Sequence, residues 1–141
     1  IRMASRIIGG VNFVALDNGY YLFDADQLSF LKNEAQRGLP MVLMMHTPLY
    51  EEKLFSLRTQ NRPVAFLAGV PEHLMGEYPP SRFEQQLADE ITRETLEYIQ
   101  NETLIKAILA GHIHHNYEGI FGNRIPQITT SLSDVRLIEF S

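Results

Sequence analysis

The chain contains five histidines, His46, His73, His112, His114 and His115, and three of them crowd into the stretch Gly-His-Ile-His-His at 111–115. Neutral imidazole is the commonest metal-ligating side chain and suits zinc, iron, manganese or nickel. On a regular strand, two histidines one residue apart face opposite sides. In a turn that follows a glycine, both rings can swing toward one cavity. His112 and His114 follow an apolar run and Gly111, which makes them the leading candidate ligands. His46 ends a second apolar run at 41–45 and can converge on the same rim. His115 either orients a ligand through a hydrogen bond or simply faces solvent. His73, inside Pro-Glu-His-Leu-Met, reads as an ordinary surface residue.

These side chains need elements to hold them. Residues 41–45 (MVLMM) form a continuous apolar run, as expected of a strand covered on both faces in the centre of an α/β sheet. His46-Thr47-Pro48 follows at its C-terminal end, the end where open α/β sheets bind ligands. Residues 104–110 (LIKAILA) read as another strand, broken by Gly111 where the backbone must turn. Upstream, 7–16 (IIGGVNFVAL) and 20–23 predict two strands joined at the Asn18-Gly19 turn signal. Asp24 with Gln27 forms a capping box that opens a helix to about residue 37, ended by Gly38 and Pro40. Residues 50–80 carry no long periodic segment and read as a long loop or cap insertion over the histidine rim. Pro79-Pro80, then Ser81 with Glu84, predicts a capped helix over 82–101, with Phe83, Leu87, Ile91, Thr95 and Tyr98 on one face. Gly122-Asn123 predicts a hairpin between 117–121 and 124–130, and 135–140 alternates as a last strand.

Composition narrows the class. The 141 residues fit one domain that buries about two thirds of its unfolded surface. Twelve basic against seventeen acidic residues leave a net charge of -5. No Lys/Arg run is present to neutralise a phosphate backbone, so nucleic-acid scaffold binding is not expected. No apolar stretch approaches the roughly twenty residues of a membrane span. The absence of cysteine excludes disulfides and thiol nucleophiles and leaves the compartment unknown, with a soluble cytoplasmic protein slightly favoured. The chain begins with Ile and shows no leader pattern, so its native N-terminus is expected upstream.

Gly111-His112-Ile113-His114 resembles the GHxH block of calcineurin-like metallophosphoesterases, and Met44-Met45-His46-Thr47-Pro48 resembles the strand-His-x-Pro block that precedes it in that family. The resemblance implies the C-terminal half of a two-sheet α/β sandwich, with a mixed sheet and flanking helices, spanning 1–141 as a partial domain. It also implies phosphate mono- or diester hydrolysis by two divalent metal ions (Mn, Fe, Zn or similar), His46 and His112 serving one and His114 the other. The family's earlier blocks, Asp-x-His, Gly-Asp and Gly-Asn-His, are absent; Asp17-Asn18-Gly19 and Gly122-Asn123-Arg124 match only in part. Without a bridging carboxylate two cations repel with little compensation. The chain alone is therefore expected to bind at most one metal, weakly, and to lack significant activity. Its partners would be a phosphate ester substrate and the missing first half of the domain.

Three other readings use the same histidines. His112-x-His114-x-x-x-Glu118 fits the first metal block of a cupin, but Lys106 and Ile125 stand where glycines are expected and two helices interrupt the barrel. The His-hydrophobe-His of endonucleases with a tyrosine nucleophile conflicts with the acidic charge, and Tyr98 lies upstream. A histidine-triad hydrolase needs an alternation that His115 breaks. From another class comes a non-catalytic remnant or interaction module, whose exposed sheet would form a homodimer or exchange strands. Glu51-Glu52 reads as a solvated pair. Arg58, Arg62 and Arg82 lie in or beside the 50–80 segment and could meet a phosphate.

Overall fold

The chain first folds back at Gly9-Gly10, where both residues take positive φ, 56° and 80°. The tight hairpin turn that suits strand twist needs φ > 0 at both central positions, which a glycine pair supplies without strain. The structure, a computed structural model, describes residues 2–140. In it β1 (Met3–Ile8) pairs antiparallel with β2 (Val11–Leu16), from Met3↔Leu16 to Ile8↔Val11. The hairpin expected at Asn18-Gly19 thus lies one element earlier, and 20–23 form no strand. Instead Tyr21 N–H donates to Asn18 O at 2.8 Å, turning the chain out of the sheet.

Asp24 builds the expected capping box: Gln27 N–H donates to its side chain and Asp24 N–H donates to the Gln27 side chain, opening α1 (Ala25–Ala35). This helix is the crossover that lets β3 (Met41–Met45) lie parallel to β2. α2 (Glu52–Thr59) and a short 3-10 turn (Glu72–Leu74) follow, then α3 (Pro80–Gln86) and α4 (Glu90–Asn101). The single helix expected over 82–101 is two. Asp89 accepts the Thr92 N–H at 2.8 Å and caps α4, while Leu87 is extended, so a local side-chain cap wins over continuous helix. Nor does Ser81 cap α3, which begins on Pro80 at its first helical position.

β4 (Ile105–Ala110), β5 (Tyr117–Phe121) and β6 (Ile125–Thr129) complete one six-stranded sheet in the order β1-β2-β3-β4-β6-β5. β2, β3, β4 and β6 run parallel; the outer strands are antiparallel, so the α/β class and the mixed sheet with helices both hold. All six strands belong to one sheet. The strand expected over 135–140 does not form. Val135 and Leu137 point into solvent, Arg136 pairs with Glu118, and Phe140 meets Phe13 edge-on at 5.9 Å, so side chains rather than a ladder attach this segment.

The main core lies between sheet and helices, with Val14, Leu31, Leu43, Ile99, Ile108 and Ile125 fully enclosed. On the opposite face Val42 is buried but Met44 is 38% exposed, so the central strand is covered on both sides only in part. The 50–80 segment is not an irregular loop. It contributes α2, the 3-10 turn and a second cluster of Leu54, Leu67, Val70 and Met75, into which Ile113 also packs. No helix among the described residues is long and apolar enough to cross a membrane.

Candidate functional site

β3 and β4 are adjacent and parallel, so the residues that follow them, His46 and Gly111-His112, emerge side by side at the C-terminal rim of the sheet. Gly111 N–H donates to His46 O at 3.1 Å and ties the two ends together. The turn then tightens around His112, where Ile113 N–H reaches Gly111 O at 2.6 Å and His112 itself holds φ 61°. His114 repeats the left-handed backbone at φ 56°. Glycine was the residue expected to supply this freedom, yet Gly111 does not use it. A non-glycine residue at positive φ is strained and persists only when its surroundings dictate it. Here the buried Ile113, packed in the second core between the two histidines, is the anchor.

The rings meet as a chain of contacts. His46 Nε2 lies 2.8 Å from His112 Nδ1, and the Tyr21 hydroxyl lies 3.0 Å from His112 Nε2. Burial, then the neighbouring His46, His114 and Arg82, hold His112 below its ordinary pKa, so it favours the neutral form. Burial raises Tyr21, against a smaller opposing effect of Arg82, keeping its phenol protonated. His114 and His115 line a cavity of about 460 Å³ together with His112, whereas His46 faces a separate groove beside Asp17. His115 Nδ1 lies within 3.0 Å of Ile113 O and 3.2 Å of Arg58 Nη1. His73 is exposed in the 3-10 turn, away from this rim's cavities.

Two buried amides, whose partners no sequence feature signals, set where His46 stands. Asn18 Nδ2 donates to Thr47 O and Thr47 N–H donates to Asn18 Oδ1, both at 2.8 Å. Gln127 does the same for Leu49, accepting its N–H at 2.8 Å and donating to its carbonyl at 2.9 Å. Each side chain satisfies both polar groups of one backbone residue, so the segment leaving β3 is held at two points. Gln127 Nε2 also donates to Glu51 at 2.5 Å, and Tyr117 Oη donates to the same carboxylate at 3.2 Å. Glu51 is therefore buried and bonded rather than half of a solvated pair; Glu52 alone faces solvent. A sequence shows an Asn in a turn and a Gln on a strand, and neither type signals such a partner.

Two facing imidazole nitrogens at 2.8 Å suit either an N–H···N bond or two donors to one divalent cation. Among the described residues no group of three or more His, Cys, Asp or Glu side chains is placed to hold a metal. His46 and His112 bring two neutral donors together, fewer than a metal's coordination shell needs. Glu118, the third ligand of the cupin reading, pairs instead with Arg136, and the sheet is open rather than a barrel. No protein-family model matches the chain, and no curated protein matches its sequence.

Proposed function

We propose that the chain is the C-terminal portion of a metal-dependent phosphoesterase of the calcineurin-like type, with His46 and His112 holding one divalent cation (Mn, Fe, Zn or similar). The observation that carries this reading is the 2.8 Å approach of His46 Nε2 to His112 Nδ1 across the ends of two parallel strands. Their position agrees with the rule that open α/β sheets place ligands at the carboxyl ends of their strands. The neutral form that burial favours at His112 is the form of imidazole that ligates a metal. A cation bound there supplies Lewis acidity toward a phosphoryl oxygen and lowers the pKa of coordinated water. His114 serves a second cation only when carboxylates from elsewhere complete the centre, and a first half of the domain is the proposed source. The protein's own contribution is positional: Asn18 and Gln127 fix the segment after His46, and Tyr21 orients the His112 ring.

Addition of Mn²⁺ to the chain is expected to broaden the ring NMR signals of His46 and His112 most strongly, and His46→Ala to remove the effect at His112. Signals indifferent to Mn²⁺, Zn²⁺ and Fe²⁺ alike would defeat the metal reading. Phosphoesterase turnover by the chain itself, abolished by His112→Ala, would defeat the claim that its centre is incomplete.

A second reading rests on the uncovered side of the sheet. Met44 and Ile8 are exposed on that side, Ile8 on the outermost strand β1. As a non-catalytic interaction module, the chain would form a homodimer or exchange strands through this surface. Sedimentation of a strict monomer at high concentration counts against it.

A further inference from the structure

Arg58 in α2, Arg62 just beyond it and Arg82 in α3 are separated in sequence, yet all three line the 460 Å³ cavity that His112, His114 and His115 also line. No Asp or Glu lines that cavity, and none of the three arginines makes an ion pair among the described residues. In a chain with seventeen acidic and twelve basic residues, such a concentration of uncompensated cations has an electrostatic cost. Arg58 and Arg82 are nevertheless held in place. Arg82 lies over the Phe66 ring at 5.2 Å and donates to Gln85 at 2.9 Å, and Arg58 Nη1 approaches His115 Nδ1 at 3.2 Å. A bound anion would relieve the repulsion.

The charge count selects the anion. One phosphoryl group brings about -1.5 to -2 at pH 7, short of three guanidinium groups, each a planar fork suited to a pair of phosphoryl oxygens. The space exceeds what one phosphoryl group fills, and an adjoining groove of about 350 Å³ shares Arg58, Arg62, Ile113 and His115 with it. We infer that this cavity binds a diphosphate group, two linked phosphoryl units of an organic diphosphate, through Arg58, Arg62 and Arg82. The claim that such a diphosphate is the substrate class rests on the phosphoesterase reading; the binding site itself does not.

Calorimetric titration in a metal-chelating buffer isolates the arginines from any cation. Methylenediphosphonate, which resists hydrolysis, is expected to bind at least about tenfold more tightly than inorganic phosphate, and Arg62→Ala and Arg82→Ala each to weaken it about tenfold. Arg62 is exposed, so its removal leaves the fold intact, and circular dichroism verifies this. Failure of methylenediphosphonate to bind, equal affinity for phosphate, or unchanged affinity in both variants overturns the inference. Binding that passes this test while Mn²⁺ leaves His46 and His112 unperturbed defeats the phosphoesterase reading and keeps the site; the converse result defeats the site alone.

Discussion

Replacement of Asn18 by alanine tests the positioning of His46 most directly. Asn18 is 1% exposed, and its amide is the partner of both the N–H and the carbonyl of Thr47, which is itself fully buried. Asn18→Ala leaves two buried backbone groups without partners, each costing about 1–3 kcal/mol, so the expected loss is about 2–4 kcal/mol once partial relaxation is allowed. At this chain length each kcal/mol lowers the melting temperature by roughly 3–5 °C, which predicts a fall of roughly 6–20 °C. Thermal denaturation followed by circular dichroism measures it. Amide hydrogen exchange supplies the local readout: Thr47 N–H is expected to lose protection more than neighbouring β3 amides. Asn18→Asp keeps an acceptor for Thr47 N–H but turns a carboxylate on Thr47 O, and is expected to fare no better. A melting temperature within about 2 °C of wild type, with Thr47 still protected, would refute the clamp.

Other outcomes follow from single side chains. Arg124 reaches back from the β5–β6 turn to the carbonyls of Ile99, Gln100, Glu102 and Ile105, covering the C-terminus of α4, whose last turn holds no basic residue. Arg124→Ala is expected to cost about 1.5–3 kcal/mol in chemical denaturation, and Arg124→Lys to recover part of it. Tyr117 is pushed up to about 12 by burial, then by the charge of Glu51 and the hydrogen bond to it. Its folded value exceeds its unfolded value near 10, so its contribution is complete below pH 10 and is lost as pH rises toward 12. The Tyr117→Phe variant should show a flatter stability profile across that window, with one fewer late-titrating phenol in the ultraviolet absorbance. Gln86 is buried with both amide atoms unpartnered among the described residues, so Gln86→Met is expected to raise the melting temperature.

Several elements could be read directly from local chemistry. The buried runs became β3 and β4, the Asp24 box capped α1, and Gly122-Asn123 turned the β5–β6 hairpin with positive φ at both residues. Where two local signals competed, the outcome depended on strand pairing. Gly9-Gly10 and Asn18-Gly19 are both turn pairs; pairing of Met3 with Leu16 lets only the former close a hairpin. The helix over 82–101 had a continuous apolar face, and only the cap formed by Asp89 divides it. In 135–140 the alternation is genuine, but Val135 and Leu137 meet no partner surface and the residues join no ladder.

The histidine rim shows the same boundary between sequence and structure. Sequence alone located His46, His112, His114 and His115 at strand ends, because residue type and the apolar runs before them are local properties. Only the tertiary structure decided that His46 and His112 face each other at 2.8 Å, and that three arginines share a cavity with His112, His114 and His115. The physical reason is that strand order and the packing of the 50–86 segment are long-range choices. They depend on which apolar faces bury one another, and on buried amides such as Asn18 and Gln127 whose partners lie 29 and 78 residues away.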